Sequence, residues 1–119
     1  HIILGLPGES AEDNIRQSEV VSNLKLDILK LHQLQIIKGT QLAEEYCREP
    51  FKLYSADEYI DLCIRYLERL RNNIIVERFV SQSPADMLIA PKWGLKNYEF
   101  TNRLVNEMKR RGTWQGRLV

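Results

Sequence analysis

The chain has 119 residues, 44% hydrophobic and 28% charged, with 17 basic against 16 acidic side chains. That size suits one small folded domain, and a formal net charge of +1 gives no global attraction for nucleic acid or a membrane surface. No stretch approaches the roughly 18 apolar residues of a membrane span, no signal peptide is visible, and the two cysteines lack any CxxC spacing, which points to a reduced, cytoplasmic setting without a metal motif.

Ile2 to Leu6 is a short apolar run without alternation, the pattern of a strand buried on both faces. It stops at a Gly-x-Pro-Gly turn, Gly5 to Gly8. Ser10 and Asp13 then form a capping box. A strand running into a glycine turn and a helix is how many α/β proteins build a cofactor-binding edge. The chain opens directly on this element. We therefore expect an N-terminal part of the sheet to precede it, and read the chain as the C-terminal part of a larger enzyme. Ile15, Val20, Val21 and Leu24 form the apolar face of the first helix, and Asn23 ends it.

Asp27 to Leu34 reads as a second strand, with Ile28, Lys30, His32 and Leu34 on one face and Leu29, Leu31 and Gln33 on the other. Strand, helix, strand in this order implies a right-handed parallel crossover. Lys38-Gly39-Thr40 turns the chain into a short helix, Gln41 to Arg48, which Pro50 breaks. Ser55 and Glu58 form a second capping box. It opens the clearest helix, with Ile60, Cys63, Ile64, Leu67 and Leu70 on one stripe. Asn72-Asn73 ends it. Ile74 to Val80 is a third strand, and its Glu77 and Arg78 point to opposite faces. Ser81 to Lys92 is irregular. The last helix runs from about Leu95 to Arg111, with Thr101, Leu104, Val105 and Met108 on one face and Gly112 as C-cap.

This order predicts an α/β fold of three mostly parallel strands with flanking helices. Three strands are few for such a sheet, and the first carries an unpaired edge. Exposure of Ile2, Ile3, Leu4 and Leu6 predicts self-association through that strand. Lys30 and His32 are polar residues on one face of a buried strand, so they require partners, water or a ligand. Cys47 and Cys63 read as buried structural thiols. Lys92, Trp93 and Lys96, with Lys109, Arg110, Arg111, Trp114 and Arg117, interleave basic and aromatic residues as RNA-binding surfaces do. A solvated helix end with packed tryptophans is the plainer explanation.

Four segments together resemble a known family. They are HIILGLPGES (His1 to Ser10), LKLHQLQIIKGT (Leu29 to Thr40), the Ser-x-x-Glu-Tyr helix within Tyr54 to Leu70, and LIAPKW followed by TWQG (Leu88 to Trp93, Thr113 to Gly116). In this order they resemble the YhcC-like proteins of the radical S-adenosylmethionine (SAM) superfamily, relatives of the elongator-protein-3 type. The resemblance covers nearly the whole chain. It implies the C-terminal strands of a partial (β/α) TIM-like barrel over residues 1–80 and a family-specific C-terminal extension over residues 81–119.

In the intact protein the family implies SAM and a 4Fe–4S cluster, the latter held by a CxxxCxxC loop that this chain lacks. Neither is expected to bind this chain alone, which has no metal ligands and no catalytic residue of its own. The resemblance implies SAM contacts at Ile3 and Gly5 and through the backbone at Leu34, and a substrate cavity that includes Lys30 and His32. The expected function is therefore an inactive portion of a radical SAM oxidoreductase that supplies the adenine-side wall, its partner being the missing N-terminal barrel half. The rival is a free-standing interaction domain that binds RNA or a protein through the basic-aromatic C-terminal region.

Overall fold

The computed structural model describes residues 2–6, 8–81, 83–84 and 86–119. His1 and Pro7 of the opening motif, and Gln82 and Ala85 of the segment after the third parallel strand, lie outside the described residues. The elements are β1 (Ile2–Leu4), α1 (Ala11–Ser22), β2 (Ile28–Gln33), β3 (Ile36–Ile37), α2 (Gln41–Arg48), α3 (Ala56–Glu68), β4 (Ile75–Arg78), β5 (Leu88–Ala90) and α4 (Asn97–Arg111).

Strands β1, β2 and β4 lie side by side in that order, all parallel. Ile3 is register partner to His32, and Ile28 to Ile75. The β2–β4 register shifts after Leu29, so that Lys30 pairs with Arg78 and Glu77 is an extra residue in the ladder. The three-stranded parallel α/β architecture expected from the chain order is thus present.

Leu4, Leu29 and Leu31 point into the main core, where they meet Ile15 and Val21 of α1 and Phe100 and Leu104 of α4. Helix α3 is the centre of that core. Tyr59, Ile60, Leu62, Cys63, Ile64, Tyr66 and Leu67 are all buried, because α3 is sandwiched between α1 and α4 while it also covers the sheet. A smaller cluster of Leu34, Ile36 and Ala43 sits beside the C-terminal end of β2.

Local signals explain the helix starts. Ser10 accepts from the Asp13 N–H at 3.1 Å while Asp13 accepts from the Ser10 N–H at 3.0 Å. Ser55 and Glu58 repeat the exchange. Each such cap stabilises its helix by about 1 kcal/mol. Gly112 ends α4 in the left-handed region, with φ of 65°.

Several expectations fail in detail. The inward face of α1 is Asn14, Ile15, Ser18 and Val21, whereas Val20 and Leu24 are exposed. The two polar residues turn inward because each donates to a carbonyl of its own helix start or turn, Asn14 to Ser10 and Ser18 to Ile15. In α4, Phe100 and Leu104 are buried while Val105 is exposed. Cys47 is exposed, not buried, because α2 is a short helix lying on the small cluster with Ala43 as its one buried residue. The segment from Ser81 to Lys92 is not wholly irregular: β5 pairs antiparallel with β3, Ile36 opposite Ala90 and Ile37 opposite Leu88.

The TWQG segment straps the end of α3. The Gly116 and Leu118 N–H groups donate to the Leu67 and Glu68 carbonyls at 3.0 and 2.8 Å, which are among the acceptors that a helix C-terminus leaves open. The Gln115 amide donates to the Arg71 and Ile74 carbonyls. Glu68 receives Thr113 Oγ1 and Arg117 Nη2, both at 2.6 Å. Burial works to raise the Glu68 carboxyl, but the hydrogen bonds from Thr113 and Arg117, with the charges of Arg117 and Arg69, outweigh it and hold the group below the usual range.

Loss of this carboxylate is therefore expected to cost about 1–3 kcal/mol. Glu68→Ala should lower the urea midpoint without changing the slope. Arg16→Ala, which removes an exposed pair with Asp13, should leave stability within about 0.5 kcal/mol. Equal effects of the two variants would contradict the strap.

Candidate functional site

Strand alternation sorts β2 into a covered and an open face. Leu29, Leu31 and Gln33 face the helices and are buried. Ile28, Lys30 and His32 face the other way. Their neighbours on that face are Ile3 on β1, exposed to 44%, and Ile75 on β4, exposed to 63%. Three isoleucines with exposed side chains on one face are unusual for a solvent-facing sheet, since each forgoes part of the roughly 1.5–3 kcal/mol that full burial contributes.

Polar groups sit within this strip. Lys30 Nζ lies 3.5 Å from Glu77 Oε2; the extra residue in the β4 ladder puts the carboxylate there. His32 Nδ1 is hydrogen-bonded to Ser81 Oγ. Burial lowers the His32 pKa from its ordinary value of 6.5, and the positive charges of Arg78 and Lys30 lower it further. The imidazole is thus neutral at pH 7.

The C-terminal end of the sheet is built from polar side chains that the sequence reading missed. The Gln33 amide accepts from the Ser81 N–H at 2.9 Å and donates to the Ser81 carbonyl at 3.0 Å. Gln35 donates to the same carbonyl at 3.2 Å and accepts from Ser83 Oγ at 2.9 Å. These four residues line a groove of about 370 Å³ together with Trp93 and Lys96. The signal was present in the sequence: Gln33 continues the apolar face of Leu29 and Leu31, and a glutamine there needs partners.

Ile3, Lys30 and His32 come together on the open face. Gly5 lies just past β1 in the positive-φ region at 86°, and a Cβ there would fall 2.9 Å from two carbons of the Tyr54 ring. Glycine is required at that position by packing within this chain. Leu34 turns away: its side chain belongs to the small cluster and its N–H donates to the Leu4 carbonyl at 3.2 Å.

Of the basic-aromatic residues, Trp93, Arg110, Arg111 and Arg117 have partners within the chain, whereas Lys92, Lys96 and Lys109 are exposed. Trp93 stacks on Phe100 at 6.1 Å between ring centroids, lies 5.4 Å from Tyr59 and donates Nε1–H to the Tyr54 carbonyl. Arg110 and Arg111 converge on Glu107, whose carboxyl their hydrogen bonds hold at about 2. Arg111 also reaches Asp61, and Arg117 reaches Glu68. Trp114 is exposed.

Residues 26–110 match the family model described as the radical SAM C-terminal domain. The chain belongs to that family. An uncharacterised protein of Methanocaldococcus jannaschii is 32% identical over 98% of this chain and 36% of its own length, and YtqA of Bacillus subtilis is 30% identical over the same shares. YhcC of Escherichia coli is 27% identical over 78% of this chain and 30% of its own. The radical SAM C-terminal domain seen here therefore spans about a third of the length of these curated relatives. Its fold matches that of a solved archaeal Elp3 from Methanocaldococcus infernus with an N-terminal deletion. The TM-score is 0.80 at 22% identity, over 95% of this chain and 26% of that one.

Membership implies SAM and a 4Fe–4S cluster in intact members. Among the described residues no group of three or more His, Cys, Asp or Glu side chains gathers as a metal site. Cys47 is exposed, and Cys63 is fully buried with its thiol pushed up by burial. The donors among the described residues do not fit a cluster. No helix among the described residues is long and apolar enough to cross a membrane.

The lowered His32 pKa sets a sign. The unfolded chain takes the proton more readily, so the stability tied to neutral His32 is present above about 6.5 and is lost as pH falls through the folded value. Arg78→Met removes one of the opposing charges and should move the His32 titration upward, as read from imidazole NMR shifts. An unchanged titration would refute the electrostatic assignment.

Proposed function

We propose that this domain forms the closing wall of a radical SAM catalytic cavity, with its open sheet face as the lumen side. The observation that carries this reading is the division of one sheet into a helix-covered face and an apolar face that bears Lys30 and His32. In parallel (β/α) folds, ligands bind where the C-terminal strand ends open. The end of β2 and the chain beyond β4 provide that edge here.

On this reading Ile3 offers an apolar contact for the adenosyl group of SAM, and Gly5 shapes the edge beside it together with the Tyr54 ring. Lys30, paired with Glu77, and neutral His32 face the substrate. Bound with the cluster in the intact protein, and given an electron from an external donor, SAM would supply hydrogen-abstracting radical chemistry. The cluster ligands belong to the rest of the protein, and this domain alone is inactive. An oxidoreductase assignment and a cytoplasmic location follow the family and the unpaired thiols.

The same face defines the partner. The N-terminal part of the protein is the natural cover for Ile3, Ile28 and Ile75, and without it this domain self-associates through that surface. The internal pairing of Arg110, Arg111 and Arg117 speaks against the C-terminal region as an independent RNA- or protein-binding surface.

The test uses the full-length protein, reconstituted with iron and sulfide without oxygen, with 5′-deoxyadenosine formation from SAM as the readout. The parent should form it and the 119-residue chain should not. Lys30→Met and His32→Asn in the parent should lower substrate-coupled turnover at least about tenfold by misplacing the substrate. A parent that makes no 5′-deoxyadenosine, or variants as active as the parent, would contradict the assignment.

A further inference from the structure

Among the described residues, every arginine but two has a carboxylate or carbonyl acceptor. The exceptions are Arg48, exposed at the end of α2, and Arg78, which is partly buried. A partly buried guanidinium without an acceptor gives up hydration and gains no hydrogen bond in return. Arg78 is the last residue of β4 and the register partner of Lys30, which puts both on the open face. The extra residue Glu77 gives its carboxylate to Lys30 at 3.5 Å, and Arg78 is left without one. After burial, the Arg78 charge is the strongest influence that lowers the His32 pKa, as expected of a guanidinium near that face. Strand β4 borders the sheet, and Glu77 and Arg78 line a hollow of about 450 Å³ together with Asn97, Thr101 and Asn102 of α4. Asn97 Oδ1 is buried there without a hydrogen-bond partner. An unpaired cation and an unsatisfied amide thus share one hollow.

We propose that Arg78 binds an anionic oxygen group of the substrate, a carboxylate or a phosphate, and so selects substrates that carry one. The guanidinium fork matches two oxygens of either group. Two cations, Lys30 and Arg78, stand beside one carboxylate, Glu77, and a bound anion balances the set. The position favours a substrate over an acidic side chain from the rest of the protein. Arg78 stands at the C-terminal end of its strand, the end at which parallel (β/α) folds bind ligands. The inference rests on the open face being the cavity wall, and it adds the chemical class of what the cavity takes.

The guanidinium is read directly in the intact protein by proton–nitrogen NMR with 15N-labelled arginine, the Arg78 Nε–H signal being assigned by its loss in Arg78→Lys. Inorganic phosphate and acetate are titrated separately against sodium chloride at matched ionic strength, so that general screening cancels. At least one of the two anions should shift the Arg78 signal saturably while chloride does not, and the tighter of them names the group. Calorimetry should show Arg78→Met binding that anion at least about tenfold more weakly. Arg78→Lys, which keeps the charge and loses the fork, should fall between the two. An Arg78 signal that neither anion moves would overturn the inference, whether or not Arg78→Met folds. So would an Arg78→Met protein with a native backbone spectrum and unchanged anion affinity. None of these readings uses SAM or turnover. A silent Arg78 in a protein that still forms 5′-deoxyadenosine therefore counts against the anion site alone, and a protein that forms none counts against the cavity.

Discussion

A central parallel strand places side chains on both faces, and burial of both requires cover on both. Here the cover is one-sided. Helices α1, α3 and α4 bury Leu4, Leu29 and Leu31, while Ile3, Ile28 and Ile75 on the other face stay exposed. The rest of the molecule follows from that imbalance. Helix α3 must satisfy α1, α4 and the sheet at once, and so is buried on nearly every side. The open face is free to carry Lys30 and His32, which the packed face would exclude unless fully paired.

Polar side chains finish what short strands begin. The parallel ladder is brief, and its register slips at Glu77. Glutamine and serine side chains at positions 33, 35, 81 and 83 carry the order past the end of β2. At the opposite end, the Arg71 guanidinium bonds the Leu24 and Leu26 carbonyls at 2.6 and 2.7 Å, tying the link between α1 and β2 to the end of α3. The TWQG strap closes the same region. The motif therefore contributes to packing, and it is the open face and the strand ends that are left for chemistry.

Much of this was legible in the sequence where the signal is local or periodic. Both serine capping boxes, the stripe of α3 and the two faces of β2 follow from spacing alone, and the order of elements led to the parallel sheet. Lys30 and His32 were found on one face because a strand alternates strictly, and the β1–β2 register adds Ile3 beside His32. The misses are non-local. Two-residue β3 carries no period, and its pairing with β5 joins residues about fifty positions apart. Val20 and Leu24 were assigned to the core of α1 because apolar residues were favoured, whereas Asn14 and Ser18 enter it by bonding their own helix backbone. Leu34 shares the parity of Lys30 and His32, yet the strand ends at Gln33 and Leu34 turns into the small cluster. The hydrogen bonds between Gln33 and Ser81 join residues 48 positions apart, and no local pattern around residue 81 announces them.

The central claim is that the open face is an interior surface in the intact protein. Hydroxyl-radical footprinting of that protein, resolved by residue with mass spectrometry, tests it most directly. Val20 on α1 and Ile75 on β4 are each 63% exposed in this chain and serve as a matched pair. If the rest of the protein encloses the open face, Val20 should oxidise freely while Ile75, and with it Ile28, is protected several-fold. Equal oxidation of Val20 and Ile75 would mean that the face stays open to solvent, and the cavity account would fail.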